Sequence, residues 1–305
     1  MRDPATSPFA FVDGALDRAD ALRDDPDGLT ALWPAAGIIA LDGQGRALVD
    51  ADAGLAEFAP AAIAGDPLTH TFLGLREGRA WFLVEAAEAG LDASGRIDLR
   101  SAAAQWPRWQ ATLFAQARAL QHWHRQHRFC GACGGALRYV RAGWLGRCDA
   151  CASEHYPRTD QAIIVAVSDG ARLLLGRQAS WPQRRWSVIA GFVEPGETLE
   201  QTVAREVMEE TGIRVDPRSA RYLASQPWPF PSALMLGFIA AAAPDVPRVG
   251  DELEAARWFS VEQVREGLAR DWSAAEREGE GIVLPAPLSI ARHVIQAWLD
   301  GQPAG

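Results

Sequence analysis

The stretch GFVEPGETLEQTVAREVMEETGI, Gly191 to Ile213, carries its own helix punctuation and a set of acids inside it. Pro195-Gly196 reads as a turn, Thr198 as a helix cap, and Gly212 as a stop in the left-handed conformation. The thirteen residues between Thr198 and Gly212 are rich in helix formers. Successive helical residues rotate by about 100°, so Glu206, Glu209 and Glu210 share one side. Most glutamate clusters are solvated acidic faces. Glu210 departs from that pattern, because Leu199 and Val203 project within about 20° of its direction and place it on the apolar stripe. A carboxylate at the edge of a core needs a partner.

Mg²⁺ or Mn²⁺ supplies one, being a hard cation that takes oxygen ligands and shares its shell with substrate phosphates. An apolar strand, Trp186 to Ala190, leads into Gly191, where a missing side chain allows close approach to the backbone. Read in full, Gly191, five residues, Glu197, seven residues, Arg205-Glu206-Val207, Glu209-Glu210 and Gly212-Ile213 resemble the Nudix box at every defined position. The resemblance implies an α/β/α sandwich with a mixed sheet. It also implies catalysis by Glu206, Glu209 and Glu210, with the Ala190 carbonyl as a further metal ligand. Glu197 is placed to reach Arg205 and pin the loop to the helix.

All four cysteines fall in two CxxC pairs, Cys130/Cys133 and Cys148/Cys151, separated by fourteen residues. The spacing fits a structural Cys₄ zinc site, closed to substrate. Two disulfides are the rival reading and require an oxidising compartment. The N-terminal residues lack the basic and apolar regions of a signal peptide, and no apolar run is long enough to span a bilayer, so the expectation is a soluble, cytoplasmic protein. Arg138, Arg141 and Arg147 between the knuckles leave nucleic-acid binding open as an alternative to scaffolding. His122, His124 and His127 are spare nitrogen ligands or solvated helix positions.

Ser225-Gln-Pro-Trp-Pro-Phe-Pro231 alternates three prolines, which fix φ and remove backbone donors. It reads as a stiff extended loop and not as an interior strand. Trp228 and Phe230 are then held either to stack on a flat heterocycle or to plug the core. Box, cysteines and this loop, in this order, resemble the NADH pyrophosphatase family over roughly residues 126–300. The resemblance implies substrate contacts at Gln226, Pro227, Trp228, Pro229, Phe230, Pro231 and Ser232. It implies another at Ala233, which stands where the family signature has serine, and one through the Ala291 backbone. Tyr156, arriving from a partner subunit, and Phe192 would flank the nicotinamide, which implies a homodimer. Glu252 would be a fourth metal ligand, with Glu254 as the competing position.

The chain has 305 residues and a formal net charge of −9, which disfavours general nucleic-acid binding. It contains neither a P-loop nor a dinucleotide-binding fingerprint, so NAD is a better substrate than redox cofactor. The expected fold class is α+β with three domains. Residues 1–125 form an N-terminal α+β domain with hairpins over Gly37 to Val49 and Thr69 to Glu85 and a helix from Pro107 to Gln126. Residues 126–157 form the zinc ribbon and 158–305 the Nudix domain, which opens with a hairpin turning at Asp169-Gly170. The expected reaction is Mg²⁺- or Mn²⁺-dependent hydrolysis of the NADH or NAD⁺ pyrophosphate to NMN(H) and AMP, without a covalent intermediate. Removal of an NAD cap from RNA 5′ ends shares that chemistry. The alternatives are hydrolysis of another nucleoside diphosphate derivative such as ADP-ribose, or a zinc-ribbon binding module on an inactive scaffold.

Overall fold

A computed structural model describes residues 9–14, 16–63, 65–276 and 279–302, which form two compact units. The first comprises the chain up to Thr159 together with Trp228–Ser232. Its helices are α1 (Pro26–Leu32), α2 (Leu99–Gln105) and α3 (Arg108–Gln126). Its main sheet runs in the order β3 (Thr71–Arg76), β4 (Arg79–Glu85), β1 (Gly37–Leu41), β2 (Ala47–Val49) and β5 (Gly95–Ile97). Side chains of a strand alternate between faces. Accordingly Ile39, Leu41 and Leu83 join Leu113, Phe114 and Leu120 in one core, while Ile38, Ala40, Phe82 and Val84 join Leu29 and Trp33 in another.

The two expected hairpins form. Glu77 and Gly78 both take positive φ, 52° and 79°, as a two-residue turn between right-twisted strands requires. Asp42 closes the other turn by accepting from the amides of Gln44 and Arg46. The sequence did not reveal that β1 also pairs in parallel with β4. Nor did it reveal α2, whose one local signal is Asp98, the cap that accepts from Arg100 and Ser101 amides.

A three-stranded antiparallel sheet, β6 (Leu137–Val140), β7 (Leu145–Cys148) and β8 (Glu154–His155), carries the cysteines. It is built into the first unit rather than standing apart. The Trp144 indole donates to Phe72 O at 2.7 Å, the Phe72 amide donates to Ala142 O, and the Arg141 guanidinium pairs with Asp20 and Asp24.

The second unit covers Asp160–Pro227 and Ala233 onward. Its strands are β9 (Asp160–Ser168), β10 (Arg172–Arg177), β11 (Ile189–Phe192), β12 (Arg221–Trp228, whose last residue falls in the first unit), β13 (Ala233–Ala241) and β14 (Ala255–Ser260). The order is β12-β13-β9-β10-β14, with β11 also on β9. β13 and β9 are parallel while β10, β11 and β14 pair antiparallel, so the sheet is mixed. Ile163, Val165 and Val167 turn towards α4 (Leu199–Thr211). On the opposite face, a side chain at Gly237 would meet Ile290 and Val294 of α6 (Ile290–Asp300), and α5 (Val261–Ala269) follows β14.

Two expectations need correction. The strand placed at Trp186–Ala190 lies later, at Ile189–Phe192, so Gly191 sits inside it; Ser187 makes only an isolated bridge to Gly176. Ser225–Trp228, expected as loop, ends β12. This is the sheet's edge strand, where a proline's missing donor costs no ladder bond.

Candidate active site

Helix α4 is closed at both ends. Thr198 Oγ1 accepts from the Gln201 amide at 3.3 Å while Gln201 Oε1 accepts from the Thr198 amide at 2.8 Å, a reciprocal cap. Gly212, at φ 66°, donates to Met208 O and ends the helix. Val203 and Val207 are fully buried beneath it, and Glu210, on the same stripe, is only 9% exposed. Among the described residues Glu210 has no hydrogen-bond donor or counter-ion. Glu206 lies across β11. A Cβ on Gly191 would fall 1.8 Å from Glu206 Cδ, so the glycine is what lets helix carboxylate and strand backbone meet.

Arg205 organises the rest. It holds Glu197 through two bonds, Nε–Oε1 at 2.7 Å and Nη2–Oε2 at 2.9 Å, the pinning contact that the spacing suggested. It also donates to Phe192 O and pairs with Glu206 and Glu209. The guanidinium pulls Glu197 down to about 2. Burial, then the charges of Glu206, Glu252 and Glu209, push Glu210 up to about 7. Glu206 is raised first by burial, with Arg205 opposing and Glu209 and Glu252 adding.

Glu252 therefore stands within electrostatic reach of Glu206 and Glu210. The Arg248 and Gly250 amides bring it there by donating to Thr211 O and Glu210 O, two carbonyls that the end of α4 leaves free. Glu254, the competing position, is ion-paired with the buried Arg177. Gly250 was missed by sequence reading. A side chain there would come 2.6 Å from Glu209 O, and its signal is a glycine directly ahead of the acidic pair.

Like charges around an unpartnered buried carboxylate suit a hard divalent cation. The glutamate oxygens are not drawn into a tight set; among the described residues only Cys130, Cys133, Cys148 and Cys151 have all ligand atoms within 4.8 Å of one another. Cys130–Cys151 and Cys133–Cys148 sulfurs lie 3.7 and 3.5 Å apart. These spacings are too long for S–S bonds and close to the edges of a tetrahedron with metal–sulfur bonds of about 2.3 Å, so the donor set fits zinc and not disulfides. Backbone amides of Ala132 and Cys133 foremost hold Cys130 down to about 6, while, against the Gly135 amide, the neighbouring cysteine sulfurs push Cys133 up to about 12, so in the metal-free cluster the thiols hold protons between them. His155 Nε2 touches Cys130 Sγ at 3.3 Å. His124 and His127 are bonded to backbone carbonyls of Gly143 and Trp123.

The remaining expected contacts separate into groups. Tyr156 and Phe192 expose their rings, 61% and 60%. Trp228 and Phe230, partly buried, pack on the first unit's core. Phe11 meets both rings at 6.3 Å, Arg100 and Arg118 lie over Phe230 at 4.2 and 5.1 Å, and Arg118 also donates to Pro229 O. Gln226 is fully buried, its amide donating to Leu288 O and accepting from the Ile290 amide, which anchors the start of α6. The Ala291 amide is taken by Ser289 Oγ, the cap of α6. Pro227 lies within β12, Pro231 and Ser232 lie in the connection that follows it, and Ala233 begins β13.

Family models match the NUDIX domain at residues 157–278, the NADH pyrophosphatase zinc ribbon domain at 125–156 and the NADH pyrophosphatase-like rudimentary NUDIX domain at 36–123. A Mycobacterium bovis protein named NAD-capped RNA hydrolase NudC is 40% identical over 291 residues, 92% of either chain. The chain belongs to the NADH pyrophosphatase family of Nudix hydrolases. A mouse relative named NAD(P)H pyrophosphatase NUDT13, mitochondrial, is 40% identical over 210 residues, 67% of this chain and 59% of that one. Nudix hydrolase 19, chloroplastic, of Arabidopsis thaliana is 35% identical over 289 residues, 78% of this chain and 66% of that one. The family's first domain is the five-stranded unit described above, and its ribbon is the cysteine-bearing sheet. No helix among the described residues is long and apolar enough to cross a membrane.

Proposed function

We propose that this Nudix hydrolase cleaves the pyrophosphate of NADH or NAD⁺ to NMN(H) and AMP. Mg²⁺ or Mn²⁺ would be held by Glu206, Glu210, Glu252 and the Ala190 carbonyl, with Glu209 assisting. The observation that carries this reading is Glu210, a buried carboxylate without a partner, with the charges of Glu206 and Glu252 upon it. A divalent cation bound there supplies Lewis-acid activation of water and offsets charge on the phosphates. The protein's part is to aim the carboxylates. Arg205 fixes the loop on the helix, Gly191 admits Glu206 to the strand, and Gly250 delivers Glu252.

The substrate class is supported by the names of the relatives, and the exposed rings of Tyr156 and Phe192 suit a nicotinamide. In this reading Tyr156 reaches the site of a second copy, so the enzyme is a cytoplasmic homodimer. NAD-capped RNA is a second substrate on the same chemistry, favoured by the near full-length relative of that name. Turnover of NADH, ADP-ribose, a diadenosine polyphosphate and NAD-capped RNA, each with Mg²⁺ and with chelator, tests the reading. Metal-dependent release of NMNH and AMP is expected, with Tyr156→Ala and Phe192→Ala slowing NADH more than ADP-ribose. A preference for ADP-ribose over every nicotinamide substrate would overturn it.

A further inference from the structure

Glu252 stands on neither a helix nor a strand, and Gly250, two residues before it, is hydrogen-bonded to Glu210 O at the end of α4. The segment that carries it is held on both sides. Upstream, Arg248 and Gly250 are tied to Thr211 O and Glu210 O at 2.7 and 3.2 Å, and Gly250 lies so close to Glu209 O that no side chain fits. Downstream, Leu253 is buried over Gly176, where a Cβ would come 2.7 Å from Leu253 Cδ1. The next residue is fastened twice to one partner: the Glu254 amide donates to Arg177 O at 2.9 Å, and the Glu254 carboxylate pairs with the Arg177 guanidinium. Arg177 is only 7% exposed and also donates through Nη2 to Trp181 O at 2.9 Å. A buried guanidinium that bridges a backbone carbonyl and a carboxylate has little freedom, and its fork cannot be reproduced by a lysine.

We infer that Arg177 is a positioning residue for Glu252: through Glu254 it locks the downstream end of the segment and holds the Glu252 carboxylate at the metal site without touching metal or substrate. The inference rests on the reading of Glu252 as a metal ligand and adds the group that sets its aim. Partners that orient metal ligands change metal affinity by roughly ten- to a hundredfold when removed.

The test uses the full-length protein as wild type, Arg177→Lys, Glu254→Gln and Glu252→Gln. Mn²⁺ binding without substrate is titrated by electron paramagnetic resonance. The Mg²⁺ concentration for half-maximal NADH turnover, kcat at saturating Mg²⁺ and the melting temperature are then measured on the same samples. Glu254→Gln keeps the side-chain volume and protects the test should Arg177→Lys fold poorly. Arg177→Lys and Glu254→Gln are expected to weaken Mn²⁺ binding and raise the Mg²⁺ requirement about tenfold, with kcat at saturation within about twofold of wild type. A lowered melting temperature with unchanged Mn²⁺ binding would make the pair merely structural and overturn the inference while leaving the metal site intact. Mn²⁺ binding unaffected by Glu252→Gln would remove the ligand assignment itself, and loss in Glu254→Gln alone would transfer that role to Glu254.

Discussion

At the scale of single residues, Glu206 and Glu210 bring carboxylates to one side of α4, Glu210 buried and Glu206 half-buried. Glu206→Gln and Glu210→Gln keep the volume and remove the charge. Each is expected to lower turnover by about a hundredfold or more, with melting temperature unchanged or raised because repulsion falls. Rates like wild type at saturating Mg²⁺ would dismiss these acids from the mechanism. Glu210 also predicts a pH dependence. Its carboxyl is pushed up to about 7 from an ordinary 4.5. Folding therefore prefers the protonated form, and the stability this group contributes is full below pH 4.5 and lost as pH rises through about 7. Metal-free protein should melt lower at pH 8 than at pH 5.5. Mg²⁺, which binds the ionised form, should recover most of the loss, and Glu210→Gln should flatten the pH profile measured in chelator. A melting curve indifferent to both pH and Mg²⁺ would contradict the burial argument.

At the scale of elements, the site is a crossing of α4 over β11 and needs a strand with no side chain at the crossing point. Gly191→Ala would place a methyl group into the Glu206 carboxylate. It is expected to cost roughly 1–3 kcal/mol in urea unfolding and to weaken Mn²⁺ binding as Glu206 is displaced. Stability and binding equal to wild type would mean that Glu206 does not rest on the strand. The helix itself was legible in sequence down to both caps, because Thr198 and Gly212 act through local geometry that residue type dictates. β11 was less legible. Its register is set by pairing with β9, so the strand begins at Ile189 and runs past Gly191. Ser225–Trp228 misled for the same reason: proline forbids an interior strand, and only the sheet order reveals that this one is an edge. Trp228 and Phe230 could be read as stacking rings or core plugs. The choice depends on Phe11, Arg100 and Arg118, remote in sequence and silent about their destination.

At the scale of the whole molecule, the ribbon is wired into the first unit through Arg141, Trp144 and Tyr139. Zinc loss should therefore propagate beyond a small knuckle. Cys133→Ser is expected to release the metal and cost roughly several kcal/mol of stability. The chemical step in protein that remains folded should be unchanged. Reduced protein free of zinc by elemental analysis, yet as stable as wild type, would refute the Cys₄ site. The central claim concerns the proposed Mg²⁺ or Mn²⁺ site, and the most direct measurement is product analysis of NADH turnover by wild type and Glu206→Gln, each with Mg²⁺ and with chelator. The account predicts equal amounts of NMNH and AMP from wild type with Mg²⁺ and almost none in the other three mixtures. NADH cleaved at the wild-type rate in chelator, or by Glu206→Gln with Mg²⁺, would contradict it.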